Sequence, residues 1–384
     1  MSADYRELFD PELVPTLRRL GERPMGAGAD AAVDPDDRVA RQAVWQSLVG
    51  LGALAWADPD AGAHRPEPLP ELVELAELMG ESLLQSPYPD TVLTAELLAT
   101  AEADSPAARE VRVAIAAGRC AVAVAPRTDG RTDPAVPDPV TVDDDRIHGV
   151  RRFVAFAADC DLLLVPAPGP AGTELRLVPR DQPGVRLRRH DDTGRGDLYR
   201  VDLDGAATLP GGCWHGSRYA EAIGRARLRH AAYLLGAARG AVELTTARLR
   251  SRSAFGQPLA RNQALSFRLA ALTARRHAVL ALVRRAARAD GPTPLGDPAY
   301  ADPVLAGAQA LMLAAELARE TAAEAVHLHG AYGLTEASDA QLYFRRAVVD
   351  AGWWGTPAQL RRTAADALIR RATADAGGSG AVGG

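Results

Sequence analysis

The feature that most constrains this chain's fold is a short run, Arg252-Ser253-Ala254-Phe255-Gly256-Gln257-Pro258-Leu259, set between two long apolar-striped segments. Before it, Leu228, Leu235, Val242 and Leu249 recur every seventh residue, with Ala231, Ala238 and Thr245 in the same stripe. After it, Leu265, Leu272 and Val279 repeat likewise. Such stripes suit helices packed antiparallel in a bundle. Arg followed by Gly and Pro is also how a helix stops, because a cation favours the helix C-terminus and neither Gly nor Pro extends it.

The texture elsewhere divides the chain. Residues 1–116 read as helical with Pro-rich and acidic breaks, most clearly over Arg38–Leu54 and Leu69–Leu84, where Leu72, Leu75, Leu78 and Leu83 keep roughly helical spacing. From about 117 to 213 short apolar runs alternate with Gly, Pro and Asp turns: Cys120–Ala125, Phe153–Phe156, Leu162–Pro166, Leu175–Val178 and Leu198–Leu203. That pattern predicts strands, with Pro168-Gly169-Pro170-Ala171-Gly172 as a hairpin connection. Helical periodicity returns from about 216 to 374.

The run at 252–259, with Gln263 after it, resembles the Arg-x-x-Phe-Gly-x-Pro-Leu…Gln signature of the acyl-CoA dehydrogenase superfamily. A second match, His327-Leu328-His329-Gly330-Ala331-Tyr332-Gly333-Leu334-Thr335 running on to Leu342-Tyr343-Phe344-Arg345-Arg346, stands at the expected distance. Leu83-Leu84-Gln85-Ser86-Pro87-Tyr88, with Thr91-Val92-Leu93, is similar to an early passage of the family. The resemblance implies an α+β, acyl-CoA dehydrogenase-like fold. Its parts would be an N-terminal helical domain (1–116), a central β-domain (117–215), a C-terminal helical bundle (216–376) and a disordered tail (377–384).

The same resemblance implies FAD as cofactor, in a site shared between two subunits. Arg252 would face the pyrophosphate, where a guanidinium holds two phosphate oxygens. Phe255 and Gln263 would line the adenosine side. His327 stands where the family has a glutamine reaching the neighbouring subunit's cofactor, and Ala331 replaces the second glycine of a Gly-Gly pair. Read alone, His327 and His329 are ordinary helix-end histidines, with no third ligand that would make a metal site. Arg227 matches an arginine common near the family's active site; equally, it is a solvated charge beside Arg225 and Arg229.

Desaturating an acyl thioester requires a carboxylate to remove the α-proton. Family members place a glutamate before a Gly-Thr pair, which here puts Trp354 at that position in Trp353-Trp354-Gly355-Thr356. The alternative family position, just before the helix arginine, holds Ala226. An indole accepts no proton at neutral pH. The flavin end departs too: Val124-Ala125-Pro126-Arg127-Thr128-Asp129-Gly130 matches the Thr-Glu-Pro…Gly-Ser-Asp loop poorly. Phe153-Val154-Ala155 stands for Trp-Ile-Thr, without the hydroxyl. Glu336, Asp339, Glu243 and Glu221 are the carboxylates that would substitute, each also readable as surface charge.

Run 338–346 with Gly355-Thr356-Pro357-Ala358 resembles a branch whose members include two-different-subunit assemblies acting on bulky CoA thioesters. Three functions follow: an α,β-desaturase of an acyl thioester on CoA or a carrier protein, a non-catalytic partner of a paralogous dehydrogenase, or a flavin-dependent oxygenase. The expected partners are the thioester and a homo- or hetero-oligomer. A net charge of −5 gives no general attraction to nucleic acid or anionic membrane. No apolar run is long enough to span a bilayer and no signal peptide is evident, so a cytoplasmic location is expected. Every permanent cation is arginine. The cysteines Cys120, Cys160 and Cys213 lack metal spacing and are expected to be reduced and buried.

Overall fold

The computed structural model describes residues 38–60, 69–101, 105–129, 133–143, 145–194, 196–254, 256–290 and 300–378. Among the described residues, helices stand on either side, along the chain, of two four-stranded β-sheets, the α+β arrangement that the resemblance implies.

Among the described residues, four helices come first: α1 (Arg38–Gly50), α2 (Leu69–Glu81), α3 (Tyr88–Ala99) and α4 (Pro106–Ala116). The predicted segment to Leu54 ends early, at Gly50, in a turn. Leu72, Leu75, Leu78 and Leu83 are all buried, as their spacing predicts. Helix α3 has scarcely any polar face. Tyr88 through Leu98 is buried except Pro89, and it carries Asp90, Thr91, Thr94 and Glu96 into the interior.

One sheet has the order β1 (Val122–Val124), β4 (Leu162–Gly169), β5 (Gly172–Pro179), β8 (Cys213–His215), with β1 and β4 parallel. The other has the order β2 (Thr141–Asp143), β3 (Arg146–Ala155), β7 (Leu198–Ala207), β6 (Val185–His190), antiparallel throughout. Gly169 pairs with Gly172, so the predicted hairpin forms where the turn residues lie. Cys120 and Cys160 are buried. Cys213 is exposed, contrary to expectation, because short β8 alternates and turns Trp214 inward.

The last part holds α5 (Tyr219–Ser251), α6 (Gln263–Ala289), α7 (Pro303–His329), α8 (Asp339–Asp350) and α9 (Pro357–Gly378). Helix α9 carries Gly377 and Gly378, so the expected disordered tail does not begin at 377; residues 379–384 lie outside the described residues. Helices α5 and α6 are antiparallel, with Arg225 near the start of α5 paired to Asp290 at the end of α6. Helices α5 and α7 instead run parallel. They touch at Gly224 and Gly307, where a Cβ on Gly307 would come within 2.2 Å of the Gly224 carbonyl, and again at their C-terminal ends through Arg248 and Tyr332. The stripe on α5 is buried apart from Val242. On α6 only Leu272 is fully covered, and Leu265 and Val279 are half-buried.

An ionic zipper joins α2 to the bundle. Glu74, Glu77 and Glu81 recur along one face of α2 and meet arginines of α5 and α6. Arg284 donates to both oxygens of Glu74 at 2.6 Å, Arg276 pairs with Glu77, and Arg239 lies 3.3 Å from Glu81. Between the charges, α2 and α5 approach closely enough that a Cβ at Gly80 would sit 1.9 Å from the Tyr233 carbonyl oxygen. Burying charge is tolerable only when each is paired and hydrogen-bonded. Glu74 and Glu77 meet that condition, and Glu81 is paired at longer range with Arg239.

Candidate functional site

Helix α5 ends at Arg252, whose backbone turns extended (φ −90°, ψ 127°) while its N–H still reaches the Arg248 carbonyl at 3.0 Å. Its own carbonyl accepts from Leu259 N–H at 2.9 Å, closing a hairpin of β9 (Ser253–Ala254) and β10 (Gln257–Pro258). Gly256 in that turn has φ +79°, a conformation glycine adopts without strain. Asn262 then caps α6, accepting from Ala264 N–H at 3.0 Å, and Gln263 is the first helical residue. The helix-stop reading of this run therefore holds together with the motif.

Arg252 and Gln263 are exposed at that corner, and so are His327 and Ala331 at the end of α7. The Arg248 guanidinium lies 4.9 Å from the centre of the Tyr332 ring, which joins the corner after α5 to the turn after α7. The two sequence signatures are thus brought to one end of the bundle. Phe255 lies outside the described residues. His329 is buried, its Nδ1 hydrogen-bonded at 2.7 Å to the Ala325 carbonyl; burial pushes its pKa below the usual imidazole range. The arrangement suits a phosphate-bearing group. Its basis is the Arg252 guanidinium, which has no acidic partner among the described residues; the Ala264, Leu265 and Ser266 N–H groups of α6 are already taken by Asn262.

Near the start of α5 the arginines behave differently. Arg227 is fully buried, which overturns the solvated-charge reading. Its Nε donates to the Trp354 carbonyl at 3.0 Å and one terminal nitrogen to Asp133 at 2.5 Å; Asp133 also accepts from the Thr363 hydroxyl at 2.6 Å. Burial pushes the Arg227 pKa down and Asp133 opposes it. Arg225 and Arg229 are likewise buried, against Asp290 and Glu96. Asp133 belongs to the β1–β2 connection, whose Pro134 carbonyl accepts from the buried Tyr219 hydroxyl at 2.9 Å. This connection is stitched into the bundle.

The family's glutamate position holds the buried Trp354 indole, and the alternative position holds buried Ala226. Neither side chain removes a proton. The four substitute carboxylates do not fill the gap. Glu221, Glu243 and Glu336 face arginines at the surface, at 2.8, 2.8 and 3.7 Å. Asp339 is half-buried, which pushes its pKa up, and it does not line the interior cavity described next.

That cavity lies among α2, α3, α5, α8 and the end of β3, with about 760 Å³ of space unfilled by atoms, part of it open to solvent. Its wall includes Trp353, Phe156, Ala155, Arg229, Arg346 and Asp90. Sequence reasoning missed Asp90. Its carboxylate accepts from Val124 N–H at 2.9 Å, and full burial pushes its pKa up to about 7, with that hydrogen bond and Arg127 opposing. An Asp in the first turn of a helix reads as a solvated dipole partner; only the continuous apolar character of α3 hinted at burial.

Residues 215–369 match the acyl-CoA dehydrogenase C-terminal domain family. The acyl-CoA dehydrogenase FadE27 of Mycobacterium tuberculosis is 27% identical over 83% of this chain and 86% of its own length. Among solved structures, a variant of the Tcur3481-Tcur3483 steroid ACAD superposes with a TM-score of 0.77 at 25% identity, covering 94% of this chain and 99% of that one. The ChsE4-ChsE5 complex from Mycobacterium tuberculosis gives 0.72 at 23% identity, covering 92% and 97%. With the two signatures meeting at one end of such a fold, the chain belongs to the acyl-CoA dehydrogenase superfamily.

Proposed function

We propose that this chain is the non-catalytic subunit of a two-subunit acyl-CoA dehydrogenase, completing the FAD site of a base-bearing paralogue. The observation that carries the reading is Trp354. An indole stands where the family places its base, and its carbonyl is held by a fully buried arginine that Asp133 neutralises. The opposite end of α5 keeps what a shared site needs, with Arg252, Gln263 and His327 exposed together. Two of the similar structures are named as pairs of different chains, Tcur3481-Tcur3483 and ChsE4-ChsE5, which supports an assembly of unlike subunits.

The residues fit FAD unequally. The exposed corner suits its pyrophosphate and adenosine. The interior suits its flavin ring less well, since Ala155 offers no hydroxyl and Arg227 is already engaged. Bound in such an assembly, FAD supplies the hydride acceptor. Arg252 would hold its pyrophosphate, and Gln263 and His327 would line its adenosine side, where the resemblance also puts Phe255.

One observation favours a second reading, desaturation by this chain itself: Asp90 lines the interior cavity with its pKa near neutrality, as a general base requires. Visible absorption of the purified protein separates the two. The lone chain is expected to be colourless and to become part of a yellow complex when co-expressed with a base-bearing paralogue. Stoichiometric flavin in the lone chain, reducible by an acyl-CoA, would sink the subunit reading and return the base to Asp90.

A further inference from the structure

We infer that the buried junction of the β1–β2 connection, β3 and the start of α5 is a binding site for one small inorganic monoanion, held by the guanidinium of Arg127 together with those of Arg151 and Arg227. Such a site depends on neither the subunit reading, nor FAD, nor a catalytic base.

Arg127 follows β1 closely, and its backbone is pinned to β3, where its carbonyl accepts from the Arg152 N–H at 2.8 Å. Its side chain is the anomaly. Arg127 is only 8% exposed, yet its guanidinium makes neither a hydrogen bond nor an ion pair among the described residues. Arg151, fully buried in β3, donates only to neutral backbone carbonyls, those of Asp138 at 2.7 Å, Pro166 at 3.2 Å and Pro139 at 3.3 Å, and its Nε–H has no acceptor. Arg227, paired with Asp133, keeps one terminal nitrogen without an acceptor. All three charges bear on the buried hydroxyl of Tyr219, the first residue of α5, so they share one region of the interior. A buried polar group left without a partner calls for a water or an ion to meet it.

The charges decide between a water and an ion. The carboxylates that bear on Arg127 are those of Asp90, Asp138 and Asp133. Asp133 pairs with Arg227, and Asp138 accepts from the Thr128 N–H and hydroxyl at 2.6 and 2.7 Å. Asp90 is held by the Val124 N–H, and burial pushes its pKa up to about 7, so below that pH it is mostly neutral. Three guanidiniums then face two carboxylates, an excess of one positive charge. Arginine does not shed its proton to escape, and an uncompensated charge out of water is costly. Burial accordingly pushes the Arg127 pKa down, and that of Arg151 down to about 10, with the acidic neighbours opposing. A water leaves the excess in place, whereas one monoanion balances it through charge-assisted hydrogen bonds. The unpartnered nitrogens are closed off from solvent, which suits a halide or nitrate and excludes a bulky organic acid. FAD phosphates held by Arg252 do not supply the charge, because Arg252 stands at the other end of α5, roughly 37 Å from Arg227 at the helical rise per residue.

The test is thermal unfolding of the full-length chain at pH 6, with sodium chloride, bromide or nitrate exchanged for sodium gluconate at constant ionic strength. Each small anion should raise the midpoint saturably, by about 2–4 °C at concentrations well above its Kd. Arg127→Met removes the excess charge while keeping much of the side chain's length. In gluconate it should be at least as stable as the unaltered chain, and it should gain nothing from chloride. A midpoint of the unaltered chain that ignores the small anions, a response that survives in Arg127→Met, or a variant less stable than the unaltered chain in gluconate would each overturn the proposal. Crystals of the unaltered chain grown in sodium bromide give a reading that needs no variant: anomalous scattering at the bromine edge should place one bromide against the Arg127 guanidinium. Bromide at the surface alone, an adventitious ion only, would equally overturn it. These measurements need neither flavin nor paralogue, so their failure leaves the subunit reading standing and the failure of that reading leaves them intact.

Discussion

Arg227 and Arg252 sit near opposite ends of the same helix, and the chain treats them in opposite ways. Arg227 is fully buried and hydrogen-bonded to the Trp354 carbonyl and Asp133, with its other terminal nitrogen left without an acceptor. Arg252 is exposed at the helix end, beside the N-terminus of α6, with no acidic partner among the described residues. On the proposed reading, the difference is how one scaffold would lose one half of a shared site and keep the other. A cation whose charge is satisfied internally contributes to the fold. A cation left unsatisfied at a helix junction is available to something outside the chain.

The sharpest way to break this comparison is to remove Asp133. Asp133→Ala leaves a fully buried guanidinium without its counter-ion. Loss of one partner of a buried pair costs about 3–5 kcal/mol, and the partial exposure of Asp133 places the expected loss near the lower figure. Urea unfolding should show it as a fall in midpoint at unchanged slope. A loss below about 1 kcal/mol, the range of surface pairs, would mean that the interior arginine is bound into the fold no more firmly than the exposed one. Removing the Thr363 hydroxyl by Thr363→Val should cost less, about 1.5 kcal/mol, because Asp133 keeps Arg227.

Asp90 gives the interior a pH signature. Its folded pKa of about 7 lies above the ordinary value of 3.8. The folded state therefore holds a proton that the unfolded chain has released. Asp90's contribution is fully present below about pH 3.8 and is lost as pH rises through about 7, at up to about 1.4 kcal/mol per pH unit between them. Glu77 is raised as well, by burial against the opposing Arg276 and Arg284, and adds to the same trend. Asp90→Asn should flatten the stability-against-pH curve between pH 4 and 7. A slope in that window that Asp90→Asn leaves unchanged would show that Asp90 is charged throughout, and would remove the argument for it as a poised base.

The sequence made the exposed corner legible and left the interior obscure. Arg252, Gln263 and the His327–Thr335 run were found because their spacing matches a signature, and the helix stop follows from Gly and Pro. The buried pairs had no such mark. Arg225, Arg227 and Arg229 look like a solvated basic face, and the partners of all three lie far along the chain, at Asp290, Asp133 and Glu96. Periodicity reports which face of a helix is apolar; it does not report that a distant carboxylate will arrive to neutralise a charge. Strands behaved the same way. β4, β5 and β7 show as apolar runs, whereas β6, Val-Arg-Leu-Arg-Arg-His, is an edge strand with half-exposed apolar residues and left no run to read. Phe153 and Phe156 mark the end of β3, but not the register shift between Arg151 and Val154 that accompanies positive φ at both of them.

At the exposed corner, Arg252→Ala should leave the urea midpoint unchanged and act only on the cofactor of the assembled complex. A charge-assisted hydrogen bond is worth about 1.5–3 kcal/mol, which corresponds to roughly a tenfold to hundredfold weaker hold on FAD. Flavin content after gel filtration of the co-expressed complex measures it. Equal flavin retention in mutant and wild type would detach Arg252 from the cofactor. A large fall in stability would instead show that this arginine, like Arg227, is consumed by the fold.

The smallest expected effect lies between the two signatures themselves. Arg248 and Tyr332 join them through a single cation–ring contact at 4.9 Å, and Tyr332 is 42% exposed. At an exposed site such a contact is worth about 0.5–1 kcal/mol. The Tyr332 hydroxyl adds a surface hydrogen bond to the Ala337 carbonyl at 2.7 Å. Tyr332→Leu keeps apolar bulk while removing both, so its unfolding free energy should fall by about 1 kcal/mol or less. Tyr332→Phe, which restores the ring alone, should recover most of the cation–ring share. A drop well beyond that would mean that the turn after α7 is a packed element of the core. The corner would then be held by the fold as tightly as the interior is, and the contrast between the two ends of α5 would fail at the place where it is weakest.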